Sequence, residues 1–276
     1  MFSHPLPATT APLPSSSQFA SDFVNDYQSH YGAVAVNQMP VWTVPADQAP
    51  VPVHVKAGCA NFTTDTGTAI PIPPAATTTG TGDSPLVIDQ PSTSSEWELW
   101  QASPTGNGWS ACWGGRLDTS TSDGVFPNGY GLSGSGISYL ATTITEADIA
   151  SGSIDHAIAL DLPACSAPQV FPADRTDCSN DPGQPPEGTW WRFPSNLPMP
   201  PGLTPFGKMV FKAIQTYGLV QTDQAGAVAI QAENTADWAA QGHSGVDPIT
   251  ASWQGQQEWQ VVADLPWSHI EAISAP

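Results

Sequence analysis

The stretch Gly152-Ser153-Ile154-Asp155-His156-Ala157-Ile158-Ala159-Leu160-Asp161-Leu162-Pro163 has the clearest periodicity in the chain, and its alternation decides the fold class. Ile154, His156, Ile158, Leu160 and Leu162 fall on one side of an extended backbone. Asp155, Ala157, Ala159 and Asp161 fall on the other, the period of two of a half-buried strand. His156 is thereby expected among apolar residues, either as a satisfied core histidine or at the floor of a pocket.

Outward from this strand, short strand-like runs punctuated by Gly and Pro dominate. They cover residues 33–36, 41–44, 51–55, 85–89, 97–102, 109–116 and 189–193, and a last one lies near 257–262. Residues 218–222 and 227–233 read as a hairpin turning at 223–226. Pro40, Pro45, Pro50 and Pro52 confine the first runs to edge or short strands. Residues 71–82 read as a surface loop, 117–136 as an extended loop of a length that is functional or mobile, and 163–188 as a Pro/Asp-rich excursion.

Helical spacing appears in three places. Phe19, Phe23, Val24, Tyr27 and Tyr31 mark a helix over 17–31, capped by Ser17 or Ser21 and stopped by Gly32. Thr145 with Glu146 and Asp148 opens one further turn. Thr204 caps the strongest helix, with Pro205 in its first position, Phe206, Met209, Val210, Ala213, Ile214 and Tyr217 on one face, and Gly218 as its stop. This helix is expected to plug a sheet edge or barrel end. The pattern predicts a mainly β protein, an antiparallel β-sandwich or jelly roll with one or two short inserted helices. It forms a single domain over residues 17–276 behind a Pro/Ser/Thr-rich tail, residues 1–16. No internal repeat of the kind a propeller needs is present.

The chain has 276 residues, 40% of them hydrophobic, enough for a substantial core. Its 25 acidic residues face only Lys56, Lys208, Lys212, Arg116, Arg175 and Arg192, for a net charge of −19. Such a surface repels nucleic acid, anionic membranes and anionic polysaccharides, and favours a neutral or cationic ligand. Cys59, Cys112, Cys165 and Cys178 have no metal-like spacing and read as two disulfides; of the three possible connectivities the preferred one joins Cys165 with Cys178 after the central strand and leaves Cys59 with Cys112, whereas in a cytosolic chain they would read as four buried thiols. Cystines and an uncharged Ser/Thr-rich composition predict a secreted, extracellular protein. No run approaches the about 20 apolar residues of a membrane span, so no membrane insertion is expected. A secretory leader is expected to lie outside this numbering.

Several motifs occur in a characteristic order: residues 83–89, Glu98-Leu99-Trp100, Trp109 with Gly114-Gly115, and Gly152-x-Ile154-x-His156-Ala157. Phe171-Pro172-Ala173, Pro186-x-Gly188 and a helix ending over 213–218 with a strand after it follow. This order, spanning roughly residues 80–235, resembles an uncharacterised family of secreted bacterial, soil-actinobacterial, jelly-roll-like proteins. The resemblance implies compartment and fold rather than activity. The chain departs from the family pattern at Pro85 and at Asp174-Arg175, where relatives carry histidines, which argues against transferring a metal site.

Glu98 and Trp100 share one face of their strand. An aromatic platform beside a carboxylate is what a sugar-binding groove needs, the ring stacking on C–H faces and the carboxylate accepting hydroxyl protons or acting as acid or nucleophile. The bland reading is a carboxylate on a solvated face. Glycoside hydrolysis needs a second carboxylate about 5–10 Å away, and Asp83, Asp123, Asp155 and Glu233 are candidates. If His156 acts chemically, Glu98 or Asp83 would orient it. The catalytic candidates are therefore Glu98, His156 and Asp83; the substrate-binding candidates are Trp100, Trp113, Asp155, Arg175, Gln231 and Glu233. Ser135 lacks a nucleophile-elbow context.

The expected function is hydrolysis of a neutral polysaccharide or cell-wall glycan by carboxylate acid/base chemistry. The alternatives are a non-catalytic glycan-binding or surface structural module, and a peptidase using Glu98 with Gln101 or Gln231. No cofactor or catalytic metal is expected. Structural calcium is chemically plausible at residues 118–123 or at Asp174, Asp177 and Asp181.

Overall fold

A computed structural model describes residues 1–276 except Ala8, Tyr31, Gly32, Thr81, Thr235 and Gln241, and except the side chains of Gln38, Ala236 and Asp237. Helix α1 (Ser16–His30) leads into β1 (Ala35–Met39), β2 (Val41–Thr43) and β3 (Val51–Val55). The helix stop expected at Tyr31 and Gly32 lies outside the described residues. A short helix α2 (Thr63–Thr66) precedes β4 (Ala69–Ile70), β5 (Leu86–Gln90), β6 (Ser95–Trp100), β7 (Ser103–Thr105), β8 (Gly108–Ala111) and β9 (Trp113–Asp118). Then come α3 (Glu146–Ser151), β10 (Ile158–Leu162), β11 (Trp190–Arg192), α4 (Pro205–Thr216), β12 (Leu219–Gln224) and β13 (Ala229–Glu233). Two short helices, α5 (Ala236–Ala240) and α6 (Pro248–Ser252), and β14 (Glu271–Ile273) complete the chain.

The strands form three sheets, in the orders β1-β13-β10-β12-β11-β14, β2-β5-β6-β9 and β4-β3-β8-β7. The protein is mainly β, as expected, but the sheets are mixed rather than antiparallel: β1/β13, β10/β12, β2/β5 and β3/β8 pair in parallel. Among the described residues no sheet closes into a barrel, and the strand order is not that of a simple antiparallel sandwich. The expected 218–233 hairpin is replaced by a crossover. Strand β10 inserts between β12 and β13, parallel to the first and antiparallel to the second. The strand expected near 257–262 is instead a series of turns. Strand β3 is an inner strand despite Pro52, because its pairing with β4 ends at Pro52 and its pairing with β8 starts at Val53.

The alternation in the central stretch holds only from Ile158 onward, and neither face meets water. Ile158, Leu160 and Leu162 pack with Phe19 and Phe23 of α1 and with Phe206, Val210 and Ile214 of α4. Each such buried side chain contributes about 1.5–3 kcal/mol. Helix α4 is capped as expected by Thr204, whose hydroxyl accepts the Gly207 N–H at 3.0 Å, and it covers a sheet face rather than an edge. On the opposite face Ala159 meets Val41, Val87, Leu132 and Tyr139. The other faces of β5 and β6, carrying Leu86, Ile88, Trp97 and Leu99, share a second core with Val53, Trp109 and Ala111 of the third sheet.

Residues 131–139 thus run between the first two sheets, fully buried, where the sequence predicts, up to residue 136, the end of an extended loop that is functional or mobile. A buried irregular backbone must find partners for its N–H groups. Glu98 supplies two: its oxygens accept the N–H of Leu132 at 2.8 Å and of Tyr139 at 2.6 Å. Glu96, next on the same face of β6, accepts the Ser138 hydroxyl at 2.7 Å.

Residues 1–16 do not form a free tail. Phe2 is buried and stacks on Trp190 at 5.7 Å, Leu13 donates its N–H to the Ala272 carbonyl, and Pro12 bridges Ile273. Apolar Phe2, Leu6 and Leu13 outweigh the proline-rich composition. Both expected disulfides are present, Cys59–Cys112 and Cys165–Cys178. Among the described residues, no helix is long and apolar enough to cross a membrane.

Candidate functional site

A cleft of about 1130 Å3 opens where the ends of β10 and β12 meet the 131–139 segment and the Trp100–Trp113 end of the second sheet. Its floor is built from residues that alternation aims away from the helices. Asp161 stands alone among the apolar residues of β10, only 3% exposed. It accepts hydrogen bonds from Thr222 Oγ1 at 2.8 Å and from Gln231 Nε2, and the Tyr139 hydroxyl lies 3.4 Å from its Oδ1. That hydroxyl also donates to Asp223 Oδ2 at 2.9 Å. A single phenol therefore lies between two carboxylates.

Burial raises Asp161 to about 6, against the opposing hydrogen bonds of Thr222, Gln231 and Tyr139. Burial also pushes Asp223 well above the carboxylate range, and the neighbouring Asp161, Asp177 and Glu187 charges push it further. The two differ because Asp161 receives donors that stabilise its ionised form while Asp223 faces other carboxylates. Two buried carboxylates with one phenol between them hold on to a proton more strongly than free carboxylates do. Arg175 lines the same cleft, its Nη2 donating to the carbonyls of Gly131 (3.3 Å) and Ser133.

Trp100 and Trp113 are directly opposite each other in the β6/β9 register, on one face of the sheet, and both line the cleft. Trp100 Nε1 donates to Asp83 at 3.1 Å, and Trp113 stacks on Tyr130 at 5.2 Å with an interplanar angle of 10°. Tyr130 covers one face of Trp113 and the Asp83 bond fixes the edge of Trp100, leaving both indoles half-buried at the cleft wall.

Of the residues singled out in the sequence, Asp83, Trp100, Trp113, Arg175 and Gln231 line this cleft. The others lie elsewhere. Glu98 has no exposed surface, and both oxygens are taken by the backbone it supports, so it meets neither a glycan nor the water of a peptidase reaction. Burial raises Glu98, while burial and then the Glu98 charge hold Glu96 well above the carboxylate range, so this pair retains a proton. His156 lies before β10 begins, and its partner is neither Glu98 nor Asp83. Its Nε2 is 3.2 Å from Asp148 of the α3 capping box, and its Nδ1 is 2.9 Å from the Ala157 carbonyl. Asp155 is exposed and takes the Ser153 hydroxyl; Glu233 is buried and accepts the Glu146 N–H at 2.8 Å. Neither reaches the cleft.

Asp161, Asp223 and Tyr139 were not singled out in the sequence. The signal for Asp161 was present, a lone carboxylate in an otherwise apolar strand. Asp223 was hidden by its assignment to a turn, and Tyr139 by its assignment to no element.

The loops considered for calcium are mostly satisfied internally. Asp118 accepts from Ser120, Asp123 from the Val125 N–H, and Asp174 from the Gly129 N–H at 2.8 Å. Comparisons with protein-family models, with curated proteins and with solved structures returned no match.

Proposed function

We propose that this chain is a secreted carbohydrate-active protein that hydrolyses a neutral glycan in the cleft, with Asp223 as acid and Asp161 as its ionised partner. The observation that supports this most is the Asp161–Tyr139–Asp223 arrangement in the same cleft as the Trp100–Trp113 pair. The indoles offer stacking faces for sugar C–H surfaces. Asp223 protonates the glycosidic oxygen. The nearest oxygens of the two carboxylates lie 3.4 and 2.9 Å from one phenol oxygen, which favours the close pair of a retaining enzyme over the wider pair of an inverting one. Asp161 accordingly attacks the anomeric carbon as a nucleophile, the leaving sugar departs with the Asp223 proton, and water activated by Asp223 then hydrolyses the glycosyl ester. The acidic lining disfavours polyanions such as nucleic acid. The two disulfides, which persist in oxidising compartments, and the resemblance to secreted bacterial proteins support the extracellular location.

The test is a panel of neutral glycans presented to wild type and to Asp223→Asn, scoring binding and the release of reducing ends. Release by wild type, reduced about 10²–10⁴-fold in the variant while binding persists, is the expected result. Binding without release by either protein would leave the tryptophan platform as a binding module. An absence of both would overturn the proposal.

A further inference from the structure

We infer that the corner of the cleft formed by Asp177, Glu187 and Gly134 is a calcium site. Glu187 sits in the turn before β11, where the Val170 N–H bonds its carbonyl and the Gly188 N–H bonds the Gln221 carbonyl. The residue has no exposed surface, and although Thr176 and Asp177 lie beside it, neither carboxylate oxygen makes a hydrogen bond of normal geometry. A buried carboxylate in that condition needs either a proton or a cation. Asp177, exposed at the cleft wall, places a carboxylate oxygen within 4.8 Å of one from Glu187. Calcium–oxygen distances of about 2.3–2.6 Å let one ion touch both oxygens across that gap.

Gly134 provides the second, independent observation. Its φ is not among the positive ones, so the backbone does not require glycine there. A Cβ would, however, stand 2.6 Å from both Asp177 Oδ1 and Glu187 Oε1. Glycine thus keeps clear the space where the two oxygens converge. The Cys178 sulfur falls within the same 4.8 Å, but it is bonded to Cys165 and offers no thiolate. The donor set is all oxygen, which suits calcium and not zinc. Arg175, a cation lining the same cleft, is tied to the Gly131 and Ser133 carbonyls. Water and carbonyl oxygens can complete a coordination shell open on the Asp177 side.

The inference is independent of whether the cleft hydrolyses glycan. It is tested by calorimetric titration of the full chain, stripped with EDTA, with calcium chloride and separately with magnesium chloride. One saturable calcium site is expected, tighter than for magnesium. Asp177→Asn, on an exposed side chain, should weaken it at least tenfold, and Gly134→Ala and Glu187→Gln should abolish it. Asp181→Asn, a nearby exposed acid outside the corner, should bind like wild type. No saturable calcium binding by wild type, tighter magnesium binding, or wild-type affinity in Asp177→Asn would each overturn the assignment.

Discussion

Glu98 accepts the backbone N–H of Tyr139 at 2.6 Å, and the hydroxyl at the far end of the same tyrosine reaches Asp223 at 2.9 Å. One residue therefore connects a fully buried carboxylate, which holds an irregular segment between two sheets, with the carboxylates of the cleft floor. The support and the candidate chemistry are separate groups on the two sides of Tyr139. This division yields distinct expectations for substitutions at each.

Glu98→Gln should act on stability. The amide has one acceptor oxygen for two backbone N–H groups and turns its own NH2 toward the other. A donor left unsatisfied in the interior costs about 1–3 kcal/mol. Chemical denaturation should show a lowered midpoint, with activity per folded molecule largely kept. An unchanged midpoint with lost activity would return Glu98 to the chemistry.

Glycan release should follow a bell-shaped pH profile whose acid limb lies near 6, the value to which burial raises Asp161. Below it Asp161 is protonated and cannot attack; at high pH Asp223 loses the proton it must donate. In Tyr139→Phe both carboxylates lose the single hydroxyl that lies between them, so the ionised form of Asp161 is less favoured. The acid limb should then move to higher pH. A profile that keeps its shape while falling in height would indicate a purely structural tyrosine.

His156 and Asp148 should contribute to stability in a defined window. Burial opposes ionisation of the histidine, but the Asp148 hydrogen bond and charge raise its pKa above 6.5, so its contribution is complete below that value and lost as pH rises through the folded one. Despite burial, the His156 contacts lower Asp148 below 3.8, so its contribution is present above 3.8 and lost as pH falls through its folded value. His156→Gln should cost about 0.5–2 kcal/mol at pH 5.5 and less at pH 9. Glycan release should be unchanged, because neither residue lines the cleft.

Removing the Cys165–Cys178 bond by a double Ser substitution should cost about 3 kcal/mol, the magnitude expected for a closed loop near 15 residues; the two cysteines here are 13 apart in sequence. Because Cys178 adjoins Asp177, calcium affinity should fall in the same variant. Thermal unfolding and calorimetry on one sample measure both.

Local signals were legible wherever a residue's role depends on near neighbours in the chain. Thr204 with Pro205 starts α4, Thr145 with Asp148 caps α3, and the faces of β6 separate Glu98 and Trp100 from Trp97 and Leu99. The alternation at Ile158–Leu162 separates the apolar face from Asp161 in the same way. What alternation cannot state is what lies against each face. A carboxylate facing away from the core reads as solvated, yet Glu98 faces a second layer of protein, whereas Asp161 faces a cleft.

The amino-acid sequence by itself determined the β class, the caps of α3 and α4 and the strongly acidic character, since each follows from local spacing or composition; among three possible disulfide connectivities it gave only a preference, and the cap candidates Ser17 and Ser21 lie inside α1. Tertiary structure alone decided that β10 would separate β12 from β13, that residues 131–139 would be buried, and that Asp161, Tyr139 and Asp223 would meet. The physical reason is that sheet order and cleft lining depend on contacts between residues far apart in the chain. Those contacts are selected by the burial of whole faces, and periodicity within one segment does not specify its partner.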